Sequence, residues 1–161
     1  RVWVGFEGEF PDNAQSLELR TWARIPGVHS SQAATDPFER GLVMREWWSG
    51  VAGNFVTDLQ ALTTFPLSPS GRSFLYEMKG SSWSGNYGDR IEGLLFAPVT
   101  GDYRFWVAAD DQAELFVSTD EQESNLVKIA YIPSVSNGWT YINQFTKFPE
   151  QKSALIPLVA G

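Results

Sequence analysis

Apolar and polar positions alternate along much of this chain, in short runs separated by turn-forming residues. Val2, Val4 and Phe6 share one parity, which predicts a short strand. Pro11-Asp12-Asn13 is a turn signal. Leu17, Leu19, Thr21, Ala23 and Ile25 lie on one face of a second extended run, which Pro26 and Gly27 stop. Residues 28–40 are polar, small and without period, and they read as a linker or long loop. The best single boundary is near Arg40. Beyond it, Leu42, Met44, Glu46 and Trp48 alternate with Val43, Arg45 and Trp47, a strand with an aromatic end. Phe55, Leu59 and Leu62 stand at helical spacing, with Asn54 or Thr57 as the cap. Residues 65–71 contain two prolines and a glycine, which exclude regular structure there.

The centre reads as β structure. Residues 74–78 form one run, and residues 81–88 form a glycine- and serine-rich loop carrying Trp83 and Tyr87. A strand over 90–96 is followed by the turn Pro98-Val99-Thr100-Gly101-Asp102. The chain then returns over 103–109, with Tyr103, Phe105 and Val107 on one face and Arg104, Trp106 and Ala108 on the other. That pair reads as a hairpin. One of Phe105 and Trp106 is expected to pack inward, since they point to opposite faces. A strand over 113–118 places Ala113, Leu115 and Val117 inward, and residues 127–132, 144–148 and 153–159 add further extended runs. Short strands with turn signals and one short helix indicate an all-β antiparallel sandwich or barrel.

Composition narrows the chemistry. The 161 residues include no cysteine and one histidine, His29. Disulfides, thiolate metal sites and thiol catalysis are thereby excluded, and a histidine-based triad is disfavoured. His29 falls in the linker-like segment and reads as a surface residue. The formal charge is −7 and there is no basic run, so nucleic acid is not an expected partner. No apolar stretch approaches the roughly 20 residues that cross a bilayer. Seven tryptophans are more than a core of this size ordinarily uses. Trp47, Trp48, Trp83, Tyr87, Trp106 and Trp139 are therefore candidates for stacking on the apolar faces of sugars, although most such rings pack a core. Trp83, inside its glycine/serine loop, is the best candidate for exposure.

Asp110-Asp111 is the sharpest local feature. Adjacent carboxylates repel each other, and a protein tolerates them when they are solvated or when a cation neutralises both. Calcium takes six to eight oxygen ligands and suits carboxylates on a loop. The plainer reading is a polar turn between two strands. Residues 118–123 hold three acids but lack the ligand spacing and central glycine of an EF-hand, and they read as a hydrated loop. Asp110 with Glu114 would be the only carboxylate pair for acid–base work, and residues so close along one segment do not flank a scissile bond. No phosphate loop or nucleophile elbow is present, so the chain is expected to be non-catalytic.

Three stretches together resemble the protective-antigen domain, a β-sandwich module of adhesins and extracellular proteins. They are GLVMREWW, NYGDRIEGLLFAPVTGDYRFWVAADDQAELFVSTDEQ and KFPEQKSALIPLVAG. The resemblance spans residues 41–161 and leaves out 1–40, which are expected to be an N-terminal extension or the end of a preceding domain. It implies a two-sheet sandwich that binds carbohydrate at the cell surface or outside the cell. In sugar-binding members the Asp-Asp pair is joined by a cis peptide and coordinates calcium, which holds glycan hydroxyls. Carried over, Asp110 and Asp111 are the expected metal and carbohydrate ligands, with Trp83 and Tyr87 as further sugar contacts. The family pattern continues with more strands and a Gly-Asp-rich loop after the position of Gly161, so the sandwich is expected to lack its last strands here. The expected partners are glycans or, in a structural or assembly role, neighbouring domains of a larger extracellular protein.

Overall fold

The computed structural model describes residues 2–8, 20–22, 42–80, 85–97, 99–120 and 122–160. The described chain is almost entirely strands in antiparallel sheets with one short α-helix, an all-β sandwich-like fold. Strand β1 spans Val2–Gly8 and β2 spans Arg20–Trp22. Strand β3 (Val43–Ser49) is followed by α1 (Val56–Gln60), β4 (Gly71–Leu75), β5 (Tyr87–Glu92) and β6 (Leu94–Phe96). The longest strand is β7 (Gly101–Ala109), and β8 (Glu114–Val117), β9 (Val127–Tyr131) and β10 (Ile156–Leu158) complete the set. The sheet orders are β1-β7-β10, β2-β6, β4-β3-β5 and β8-β9.

The alternation along β7 sets the main core. Tyr103, Phe105, Val107 and Ala109 face inward and pack with Ala97, Ala113, Leu115, Ala130 and Ile132. Phe105 is buried and Trp106 only half-buried, which settles which ring packs inward. Tyr103 donates its hydroxyl to the Val99 carbonyl at 2.6 Å and so closes the turn leading into β7. A second cluster, Trp48, Val51 and Leu59 with Leu62 and Phe65, lies where α1 meets β3. Gly88 permits that packing, because a Cβ there would lie 2.8 Å from Leu59.

The expected hairpin between 90–96 and 103–109 does not form. Strand β6 pairs with β2, and β7 pairs with β1 along Val2↔Ala109 to Gly8↔Tyr103. Both partners come from the stretch before Arg40, so strands from either side of that boundary share sheets. Gly93 also splits the predicted 90–96 strand into β5 and β6. The strand expected over 74–78 begins earlier, at Gly71 opposite Trp47, where the missing side chain leaves room for the indole. No strand forms over 144–148.

The other edge of β7 is completed largely by side chains. Thr140 Oγ1 accepts from Ala109 N–H at 2.8 Å, and Thr140 N–H donates to the Ala109 carbonyl at 2.6 Å. Buried Gln151 donates to the Val107 carbonyl at 2.8 Å. Ser153 Oγ accepts from Phe105 N–H at 3.0 Å, and β10 takes over at Tyr103. Backbone groups in a buried sheet need partners, and these three residues supply them where no strand runs.

Strand β3 carries two buried charges side by side. Arg45 pairs with Asp89 at 2.9 Å. Burial holds the Asp89 carboxyl above its ordinary pKa despite the Arg45 guanidinium beside it. Glu46 accepts from Arg72 Nε at 2.5 Å and from Arg90, the three residues forming one row across β4, β3 and β5. Among the described residues no helix is long and apolar enough to cross a membrane.

Candidate functional site

Asp110 and Asp111 follow directly on the last residue of β7, at the tip of the sheet. Ala109 is buried, Asp110 is exposed and Asp111 is half-buried, so the chain passes from core to solvent in two steps. The peptide bond between them is cis, as in the sugar-binding members of the family that the sequence resembles. Burial, and then the charge of Asp110, hold the Asp111 carboxyl above its ordinary pKa. The two carboxylates therefore interact unfavourably when both are ionised.

Both flanks of the pair are pinned. On the N-terminal side, Ala109 is held by the Thr140 hydroxyl and amide, and Thr140 itself is buried. On the C-terminal side, Gln112 N–H donates to the Asn54 carbonyl at 3.3 Å. The Gln112 side chain accepts from Val56 N–H at 2.7 Å, in the first turn of α1. That bond corrects the expected cap. Neither Asn54 nor Thr57 caps the helix; Phe55 occupies the cap position, and its N–H donates to Asp58 at 2.9 Å. Satisfying a free helix-end amide from a residue 56 positions away ties α1 to the Asp pair.

Two exposed aromatic residues flank this tip. Phe55 is 44% exposed and lies beside Val56. Tyr141 is 67% exposed and lies beside Thr140. Periodicity gives no sign of either role, because both sit in irregular segments. Trp139 was a stacking candidate from composition, and its ring meets Tyr141 edge-on at 4.8 Å between centroids.

The other predicted residues are placed differently. Tyr87 does not sit in a loop: it opens β5 opposite Ser49, with the Arg45 guanidinium 5.9 Å from its ring centroid. Gly50 N–H donates to the Asn86 carbonyl, so residues 49–56 form the segment between Tyr87 and the Asp pair. Trp83 lies outside the described residues, as does His29. Glu114 pairs with Lys128 at 2.8 Å across β8 and β9. In the 118–123 loop, Asp120 accepts from the Ser118 hydroxyl, Gln122 N–H and Asn125, and these bonds lower its pKa.

As a cation site the Asp pair fits in kind. It offers hard oxygen donors at an exposed tip, on a backbone fixed at both ends. Among the described residues no group of three or more His, Cys, Asp or Glu gathers to hold a metal. The pair would thus supply two carboxylates of calcium's six to eight oxygens, the others coming from backbone, water or ligand.

Three similarities to known proteins bear on this site. The chain is 33% identical over 119 residues to N-acetyl-beta-glucosaminyl-glycoprotein 4-beta-N-acetylgalactosaminyltransferase 1 of Mus musculus, matching 74% of this chain and 11% of that protein. It is 40% identical over 123 residues to fibrocystin of Canis lupus familiaris, 76% of this chain and 3% of that protein. A match to Mus musculus fibrocystin is 36% identical over 50 residues, 31% of this chain and 1% of that protein. The chain thus spans only a small part of each relative. No family model and no solved structure matches it.

Proposed function

We propose that this chain is a non-catalytic carbohydrate-binding module of the protective-antigen type, working outside the cell or at its surface, with Asp110 and Asp111 holding calcium. The observation that carries this reading is the Asp pair at the tip of β7, pinned on one flank by Thr140 and on the other by Gln112. Calcium, when bound, supplies a Lewis-acidic centre for paired sugar hydroxyls. The chain's own part is to hold two carboxylates together in a fixed frame, which lowers the ordering cost of binding.

The similarities support a module rather than an enzyme. Related sequence occurs in a transferase named for its action on N-acetyl-beta-glucosaminyl-glycoprotein and in the differently named fibrocystin. A segment common to two such proteins, and so small a part of each, reads as a portable unit and not as the catalytic part of the transferase. Its presence in an enzyme that acts on glycoprotein glycans suits a glycan-holding role.

A glycan array, probed with calcium and again with a chelator, tests the proposal. Binding that disappears with the chelator, and in an Asp110→Ala variant that stays folded, is the expected result. Absence of binding to every glycan in calcium contradicts it.

One observation favours a structural module as the second reading. Phe116, Leu126 and Val127, on and beside β8 and β9, are 43%, 47% and 62% exposed and offer an apolar surface to neighbouring domains of a larger extracellular protein. On that reading Asp110→Ala changes no glycan binding, and substitutions at Phe116 or Val127 alter assembly.

A further inference from the structure

The loop after Ile132 is built as a rigid arm with an aromatic tip. Lys147 Nζ donates to the Asn137 carbonyl at 3.0 Å and to the Trp139 carbonyl at 2.6 Å. The same ammonium lies 4.5 Å from the Trp139 ring centroid. Asn137 and Asn143 take left-handed backbone conformations, with φ of 62° and 60°, which turn the chain sharply before and after the tip. Gln144 closes the second turn, its Oε1 accepting from Tyr141 N–H at 3.0 Å and its N–H donating to the Tyr141 carbonyl at 3.1 Å.

The arm is fastened to β7 at two points. Thr140 bonds Ala109 through both backbone and side chain. Gln151, fully buried, donates to the Gln144 carbonyl at 2.7 Å and to the Val107 carbonyl at 2.8 Å. What this frame leaves outside is apolar: Tyr141 is 67% and Ile142 50% exposed. Solvent exposure of an aromatic ring costs free energy, and here it is held on a frame in which nearly every neighbouring polar group is bonded. Such an arrangement is what a preorganised contact requires.

The tip stands beside the Asp pair. Asp110 and Tyr141 are each one residue from the hydrogen-bonded pair Ala109 and Thr140. Bonded residues on adjacent strands have Cα atoms about 5.5 Å apart, and successive Cα atoms are about 3.8 Å apart. Asp110 and Tyr141 Cα atoms are therefore separated by no more than about 13 Å.

We propose that Tyr141, braced edge-on by Trp139 and held in place by Lys147, is the stacking platform for a pyranose ring bound beside Asp110 and Asp111. The inference rests on the calcium-dependent reading of the Asp pair and adds to it the residue that grips the apolar face of the sugar. It moves the platform from Trp83 to the 133–148 arm. Lys147 is a positioning residue: it fixes the carbonyls on either side of Gly138 and does not itself meet the ligand.

The test measures calcium binding and sugar binding separately on the wild type, Tyr141→Ala and Tyr141→Phe. Calcium alone is titrated first by calorimetry. Methyl β-glycosides of galactose, N-acetylgalactosamine and N-acetylglucosamine are then titrated in saturating calcium. Tyr141→Ala is expected to keep calcium affinity and lose sugar affinity by roughly tenfold, while Tyr141→Phe keeps both, since it retains the ring. Equal sugar affinity in wild type and Tyr141→Ala overturns the platform and leaves the calcium reading standing. Loss of calcium binding in Tyr141→Ala also overturns it, by making the tyrosine structural. A wild type that binds no calcium, or binds none of these sugars in calcium, overturns the inference; in the first case the reading beneath it fails as well.

Discussion

Replacing Thr140 with valine removes one hydroxyl from the centre of the site and keeps the side-chain shape. That hydroxyl accepts from Ala109 N–H at 2.8 Å and donates to the Ala109 carbonyl at 3.2 Å. Thr140 is 1% exposed, so water cannot replace it without a rearrangement of the arm. The carbonyl keeps a second partner, the Thr140 N–H at 2.6 Å, and loses little. The amide keeps none and bears the desolvation cost of an unpaired buried donor, about 1–3 kcal/mol. For a domain of this size each kcal/mol lowers Tm by about 2–4 °C, so a midpoint cost of about 2 kcal/mol predicts a fall of about 4–8 °C. Thr140→Ser, which keeps the hydroxyl, is expected to lose less. Differential scanning calorimetry on the three proteins makes the comparison. A valine variant melting within about 1 °C of the wild type would refute the reasoning, because a buried donor without a partner costs more than that.

Three further outcomes follow from the same geometry. Gln151→Leu strips partners from the Val107 and Gln144 carbonyls and the Phe148 N–H at once, so it is expected to cost at least about 3 kcal/mol, read from urea unfolding. Gly71→Ala would place a Cβ 2.1 Å from the Trp47 ring; the expected cost is about 1–3 kcal/mol with altered tryptophan fluorescence, and an unchanged spectrum would mean the ring does not lie over Gly71. Asp111 is expected to titrate above an ordinary aspartate in carboxyl-resolved NMR. Its folded pKa is the higher one, so its contribution to stability declines as pH rises from the unfolded value through the folded one. Added calcium should move that midpoint down, and a midpoint at or below the ordinary value before calcium is added would count against the burial and Asp110 repulsion assigned to it.

Features that depend on a residue's own neighbours along the chain were legible in the sequence. The strict alternation of Tyr103, Phe105 and Val107 identified β7 and its buried face, because a strand has a side-chain period of two. The Asp-Asp pair was visible as a dipeptide, and the structure places it where a strand ends. Features set by distant partners were not legible. The turn at 98–102 looked like a hairpin loop, yet it carries the chain between strands whose partners lie before Arg40. The helix cap was missed because its partner, Gln112, comes from another part of the fold. Thr140, Gln151 and Ser153 replace a strand along β7 from stretches with no hydrophobic period, so no pattern pointed to them. The aromatic tip at Tyr141 escaped notice for the same reason: exposure beside the Asp pair is a property of the assembled loop.

Calcium titration by calorimetry, on the wild type and on an Asp110→Asn/Asp111→Asn variant, tests the central claim most directly. The account predicts one calcium bound to the wild type and none to a variant that remains folded. A wild type that releases or absorbs no heat with calcium and shows no rise in Tm, or a variant that binds calcium as well as the wild type, would contradict it.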